Sequence, residues 1–113
     1  MDTNNLKYKS IKYFEHFSNK NMEELEKMFS ENVILRDWEL YAEGKAEVLA
    51  ANKKIFEAVE SIFVLPIKLY QDENVITAEL RITINNNETL LVTDVIVYDE
   101  DEQISAIRAY KGN

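Results

Sequence analysis

Residues 75–98 read VITAELRITI-NNN-ETLLVTDVIVY, and their alternation decides the fold. Between Val75 and Ile84, the residues Ala78, Leu80, Ile82 and Ile84 fall on one face, and Glu79, Arg81 and Thr83 on the other. A period of two describes a strand with one face buried and one face wet. Leu90 to Tyr98 repeats the pattern, and Asn85-Asn86-Asn87 supplies the hairpin loop between, because asparagine tolerates the positive φ that such loops require. Asp94 alternates with Leu90, Val92, Ile96 and Tyr98, so a carboxyl group shares the apolar face. Working outward, Gln103 to Tyr110 forms a further strand, joined through the acidic turn Asp99-Glu100-Asp101-Glu102. On the other side, Ile62 to Tyr70 is apolar and β-branched but contains Pro66, which removes a ladder donor and predicts an edge strand or a bulge. Asp72-Glu73-Asn74 turns the chain from that strand into Val75.

The N-terminal half has a different period. Leu6, Ser10, Tyr13 and Phe17 share one stripe, with Ile11 and Phe14 beside it, which predicts a helix from about Asn4 to Phe17. Asn21 is a predicted N-cap, with Glu24 three residues on to complete a capping box. The second helix, Met22 to Phe29, is expected to bury Leu25, Met28 and Phe29. Val33-Ile34-Leu35 is a brief strand ending at Arg36-Asp37-Trp38, and Gly44 breaks the chain before a third helix from Lys45 through Phe56 and Val59 to about Glu60. Helices first and an antiparallel meander after them give an α+β order in one domain spanning residues 1–113.

Composition limits the function. The 113 residues carry a formal charge of −8, which argues against nucleic acid or an anionic membrane as partner, since both need a basic surface. No apolar run approaches the ~18–20 residues of a membrane span, and the start, Met1-Asp2-Thr3-Asn4-Asn5, lacks the features of a secretory signal, so a cytoplasmic location is expected. With no cysteine, one histidine and no glycine-rich phosphate loop, neither a metal nor a nucleotide cofactor is expected. The acidic run at 99–102 lacks the glycine and ligand spacing of a calcium loop and reads as a solvated turn. His16 reads as a partly exposed helix histidine.

Three helices, a short strand between the second and third, and a long four-strand meander is an order that resembles the nuclear transport factor 2-like superfamily, including its SnoaL-like and ketosteroid-isomerase-like members. Tyr13-Phe14-Glu15-His16-Phe17 through Met28-Phe29 is similar to the family's first two helices. Val33-Ile34-Leu35-Arg36-Asp37 is similar to its short strand, Gly44 to the glycine opening its third helix, and Val92-Thr93-Asp94-Val95 through Tyr110 to its last hairpin. The resemblance implies a curved antiparallel sheet wrapped, cone-like, around three N-terminal helices, with a central pocket. Fold alone does not give function, because the superfamily hosts isomerases, cyclases, hydrolases and binding modules.

Ketosteroid isomerases, a worked case of carboxylate tuning, place a tyrosine on the first helix, an aspartate base after the short strand and an aspartic acid on a late strand. Tyr13, Asp37 and Asp94 stand at the similar places. The resemblance implies that Asp37 abstracts a proton beside a carbonyl, while the Tyr13 hydroxyl and a neutral Asp94 donate to the enolate oxygen. Phe17, Phe56, Val92 and Ile107 are implied pocket walls, with Trp38 and Tyr41 as a lid or as part of a dimer interface. Each residue also has a plainer reading. Tyr13 serves the core with one satisfied hydroxyl, Asp37 caps a turn or pairs with Arg36, and Asp94 bonds to backbone or to another side chain.

Some residues depart from the isomerase pattern. Trp38 follows Asp37 where those enzymes usually carry proline, and the link to Gly44 is short. Phe29 and Asn52 fall near positions of supporting tyrosines. Glu102 stands at a frequent turn glycine, at a cost of ~1 kcal/mol if φ is positive there.

Two functions are therefore in view: an isomerase- or cyclase-like enzyme acting on a small apolar or carbonyl-containing molecule, or a binding or assembly module whose cone is filled. Leu91, Val95 and Val97, opposite the Asp94 face, predict a homodimer through the sheet.

Overall fold

A computed structural model describes residues 5–112. It contains α1 (Leu6–Ser18), α2 (Met22–Met28), β1 (Phe29–Arg36), β2 (Tyr41–Glu43), α3 (Lys45–Ala58), β3 (Ile62–Asp72), β4 (Val75–Ile84), β5 (Glu88–Tyr98) and β6 (Ile104–Lys111). The predicted helix start at Asn4 lies outside the described residues. The strands form one six-stranded sheet in the order β2-β1-β6-β5-β4-β3. The sheet curves over the helices without closing.

The meander follows from its sequence. Pro66 sits on β3, which is an edge strand, and the pairing with β4 slips between Pro66 and Lys68, so the proline is accommodated by both means at once. Asn85 and Asn86 take φ of 53° and 61° in the β4–β5 turn. Glu102 does occupy the left-handed region, at φ 60°. Lys9 braces that turn, its Nζ donating to the Glu102 carbonyl at 3.1 Å and pairing with the carboxylate at 3.3 Å.

The helical half differs from expectation in four respects. The sheet is mixed, not purely antiparallel, because β1 lies beside β6 and runs parallel to it. A chain leaving α2 in that direction supplies the partner that the free edge of β6 requires. The strand is also longer than Val33–Leu35, and Phe29 belongs to it and not to α2. Ile11 is exposed, since it falls on the solvent side of the stripe that Leu6, Ser10, Tyr13 and Phe14 bury. Asn21 caps α2 by accepting the Glu24 N–H at 3.2 Å, but the Glu24 carboxylate pairs with Lys27 at 2.7 Å, so only half of the capping box forms.

Two residues fix the frame around α3. That helix has no basic residue in its last turn. Lys20, at φ 55° in the α1–α2 turn, reaches across to donate to the carbonyls of Phe56, Val59 and Glu60 at 2.9, 2.7 and 3.1 Å. A cation at a helix C-terminus satisfies the orphan carbonyls and complements the dipole. Asn85 then accepts the N–H groups of Glu60 and Ser61, tying the start of β3 to the distant hairpin loop.

Candidate functional site

The inner faces of β3 to β6 and the helices α1 and α3 enclose a cavity of about 230 Å³, with the loop 37–40 at its rim. Its wall is mostly apolar, including Phe17, Val64, Leu80, Ile82, Val92 and Ile107. Its lining includes the polar residues Tyr13, Asp37, Asn52 and Asp94, with the exposed Glu39 at the rim.

Asp94 lies at the centre of the sheet. Its row neighbours are Ala78 on β4 and Ala109 on β6, so it stands between two methyl groups with no cross-strand polar partner. The same small neighbours leave space over its carboxyl group. Burial, and then the negative charge of Asp37, push its pKa up to about 7. Of the plainer readings, neither the backbone bond nor the side-chain bond is formed among the described residues.

Tyr13 is buried on α1, packed edge-on to Phe29 and tilted against Phe14 and Phe17. Desolvation, followed by the Asp94 and Tyr98 groups, raises its pKa well above the usual tyrosine value. A neutral phenol is the form that donates a hydrogen bond. No hydrogen bond joins it to Asp94; the neighbouring tyrosine that is paired is Tyr98, with Ser10 Oγ at 2.9 Å.

Asp37 makes the turn of its plainer reading. Its Oδ1 accepts the N–H groups of Glu39 and Leu40 at 2.7 and 2.8 Å, an Asx turn that shapes the rim. Its Oδ2 accepts no hydrogen bond among the described residues, and the residue lines the cavity. Arg36 does not pair with it; that guanidinium stacks over the Tyr41 ring at 4.6 Å.

Tyr41, read as a lid or dimer-interface residue, and Phe56, an implied wall residue, are not among the residues lining the cavity. Tyr41 is exposed on β2, its hydroxyl donating to Glu43, because the segment read as a loop pairs with β1 and turns Tyr41 to the outside. Phe56 is buried behind Phe17, ring centroids 4.8 Å apart, and supports the wall without forming it. Phe17, Val92 and Ile107 do line the cavity, and Trp38 stands half-exposed at its mouth. Phe17 and Trp38 do not plug it.

Asn52, Ile55 and Leu40 are wall residues that the pocket expectations left out. Asn52 could have been found by the logic that found Asp94: it sits between Val48 and Phe56 on the buried stripe of α3, a polar group where an apolar one is due. Among the described residues, no group of three or more His, Cys, Asp or Glu is arranged to hold a metal ion, and no helix is long and apolar enough to cross a membrane.

Solved structures share this architecture. A protein from Kribbella flavida DSM 17836 described as a candidate ketosteroid isomerase matches with a TM-score of 0.86 at 18% identity, over 99% of this chain and 81% of that one. An LEH-like epoxide hydrolase from M. tuberculosis matches at 0.77 and 12% identity, over 88% and 77%. A de novo designed protein with a curved β-sheet matches at 0.81 and 17%, over 99% and 88%. An isomerase-like protein, a hydrolase and a design on one scaffold show the fold alone. No curated protein matches the chain. Residues 11–107 match the SnoaL-like domain, and since that is most of its length the chain belongs to this family.

Proposed function

We propose that the chain binds a small, mainly apolar carbonyl compound in the cavity and moves a proton on the carbon beside the carbonyl. The observation that carries this reading is the unpaired Asp94, set between Ala78 and Ala109 on the wall of a cavity that Asp37 and Tyr13 also line. In the step, Asp37 Oδ2 takes the proton from carbon, and the electron pair of that bond moves through the α-carbon to the carbonyl oxygen. Tyr13 and protonated Asp94 donate hydrogen bonds to the developing enolate oxygen. Asp37 returns the proton, to the same carbon for exchange or to a conjugated carbon for isomerisation. At about 230 Å³ the space lies below the ~300–1,000 Å³ typical of drug-sized ligand pockets. It suits one or two rings, not four.

Deuterium uptake and double-bond migration across a panel of one- and two-ring ketones and enones test the reading. Asp37→Asn is expected to lower the rate by roughly 10²- to 10⁴-fold, and Tyr13→Phe by roughly 10²- to 10³-fold. Because the donor role needs the Asp94 proton, the rate should fall as pH rises through about 7. Turnover that survives Asp37→Asn unchanged would remove the base from this scheme.

A specific observation favours a second reading, binding without turnover: one oxygen of Asp37 is already committed to shaping the rim. In that case ketones bind and no proton exchanges. Under either reading the protein works as a cytoplasmic homodimer. Phe63, Leu65, Leu91 and Tyr110 are exposed, and a second copy covering the outer sheet face would bury them.

A further inference from the structure

The amide of Asn52 has no role in the proton-transfer scheme, yet its placement is costly. Its side chain is 2% exposed, and its Nδ2 has no hydrogen-bond partner among the described residues. An amide donor withdrawn from water and left unpaired destabilises the fold. The surroundings would favour leucine, which matches asparagine in shape, prefers the helix and suits the apolar stripe of Val48 and Phe56. An amide kept where a hydrocarbon would stabilise the protein points to an occupant that completes it, and Asn52 lines the same cavity as Asp94.

We infer that Asn52 is a second polar anchor of the cavity, and that the ligand carries, besides its carbonyl, another hydrogen-bonding group that pairs with the Asn52 amide. Asp94 and Tyr13 enter from β5 and α1, and Asn52 enters from α3, so the ligand is held between the sheet wall and a helix wall. A carboxamide both donates and accepts, so hydroxyl and carbonyl groups alike satisfy it. The preferred ligand is a bifunctional one- or two-ring molecule, a hydroxyketone or a diketone, and not a simple ketone. The inference rests on the cavity being a ligand site, and holds with or without catalysis.

The test compares 1-tetralone, which has one polar group, with 5-, 6- and 7-hydroxy-1-tetralone, measuring dissociation constants for the wild type and for Asn52→Leu, together with melting temperatures of the unliganded proteins. At least one hydroxy isomer should bind the wild type about five-fold or more tighter than 1-tetralone, the worth of one hydrogen bond. In Asn52→Leu that ratio should fall to about one, while the melting temperature rises. If the ratio persists in Asn52→Leu, or if that variant melts lower, the amide serves the fold and the inference is overturned. Equal binding of all four compounds to the wild type removes the second anchor and leaves the cavity reading intact. If none of the four binds, the cavity reading itself fails, and the anchor with it.

Discussion

Strands β4 and β5 carry one unbroken alternation, but its two ends are used differently. At one end Ile76, Ala78, Ile96 and Tyr98 are at most 1% exposed. They close against Leu6 and Leu25 in one core, and the Tyr98–Ser10 hydrogen bond seals it. At the other end Leu80, Ile82, Leu90 and Val92 face open space beneath Phe17, Asn52 and Ile55. Period-two patterning says which side chains turn inward, and the helices opposite decide whether the interior is filled. Asp94 sits at the border between the two, where the row narrows to Ala78 and Ala109. A filled end provides stability, and the end left open is where a ligand can enter.

The sharpest way to break this distinction is to remove volume at each end. Ile96→Ala in the filled end should cost about 2–5 kcal/mol, because it leaves a new cavity. Ile82→Ala, whose side chain already borders a void, should cost about 1 kcal/mol. Urea denaturation measures both, and equal losses would mean that the two ends are packed alike.

The border residue comes next. Its raised pKa means that the folded chain holds the Asp94 proton more tightly than the unfolded chain, so wild-type stability falls as pH rises from about 4 towards about 7 and is level above that. Each tenfold difference in proton affinity corresponds to about 1.4 kcal/mol, so this loss is about 2–4 kcal/mol. Asp94→Asn carries no such penalty. It should be more stable than wild type by an amount of that order at pH 8, and the advantage should vanish below pH 4. Melting curves across that range give the answer, and a destabilised variant at pH 8 would indicate a paired carboxylate.

The smallest effect separates the two tyrosines. Tyr98→Phe loses the bond to Ser10 and should cost about 1 kcal/mol, while Tyr13→Phe should change stability by less than about 0.5 kcal/mol. Thermal melts of the pair sharpen the contrast between a hydroxyl that holds the fold and one that faces the cavity.

Much of this was legible in the chain. Alternation gave the inner face and put Asp94 on it, Pro66 marked the edge, and the asparagines at 85 and 86 marked a turn of positive φ. These are local signals, carried by neighbouring residues. The parallel β1–β6 pairing was not legible, because it joins segments some seventy residues apart and its register slips between Phe29 and Ile34. Ser30, Glu31 and Asn32 interrupt the apolar pattern of β1, which disguised its first half as the end of a helix. The site was partly legible for the same reason. Tyr13, Asp37 and Asp94 reach one cavity, but helical spacing could bury Phe56 without saying whether it met a void or Phe17.

The clasp that Lys20 makes has a consequence for chemical labelling. An ammonium has three protons to give, and here three carbonyls receive them. While α3 is docked, these three contacts hold Nζ against the chain and restrict the approach of an acylating reagent, whereas an exposed lysine such as Lys27 lies open to it. Lys20 should therefore be the last lysine to acquire an acetyl group, and its rate of modification serves as a clock for how often α3 lifts away and opens the helical wall of the cavity.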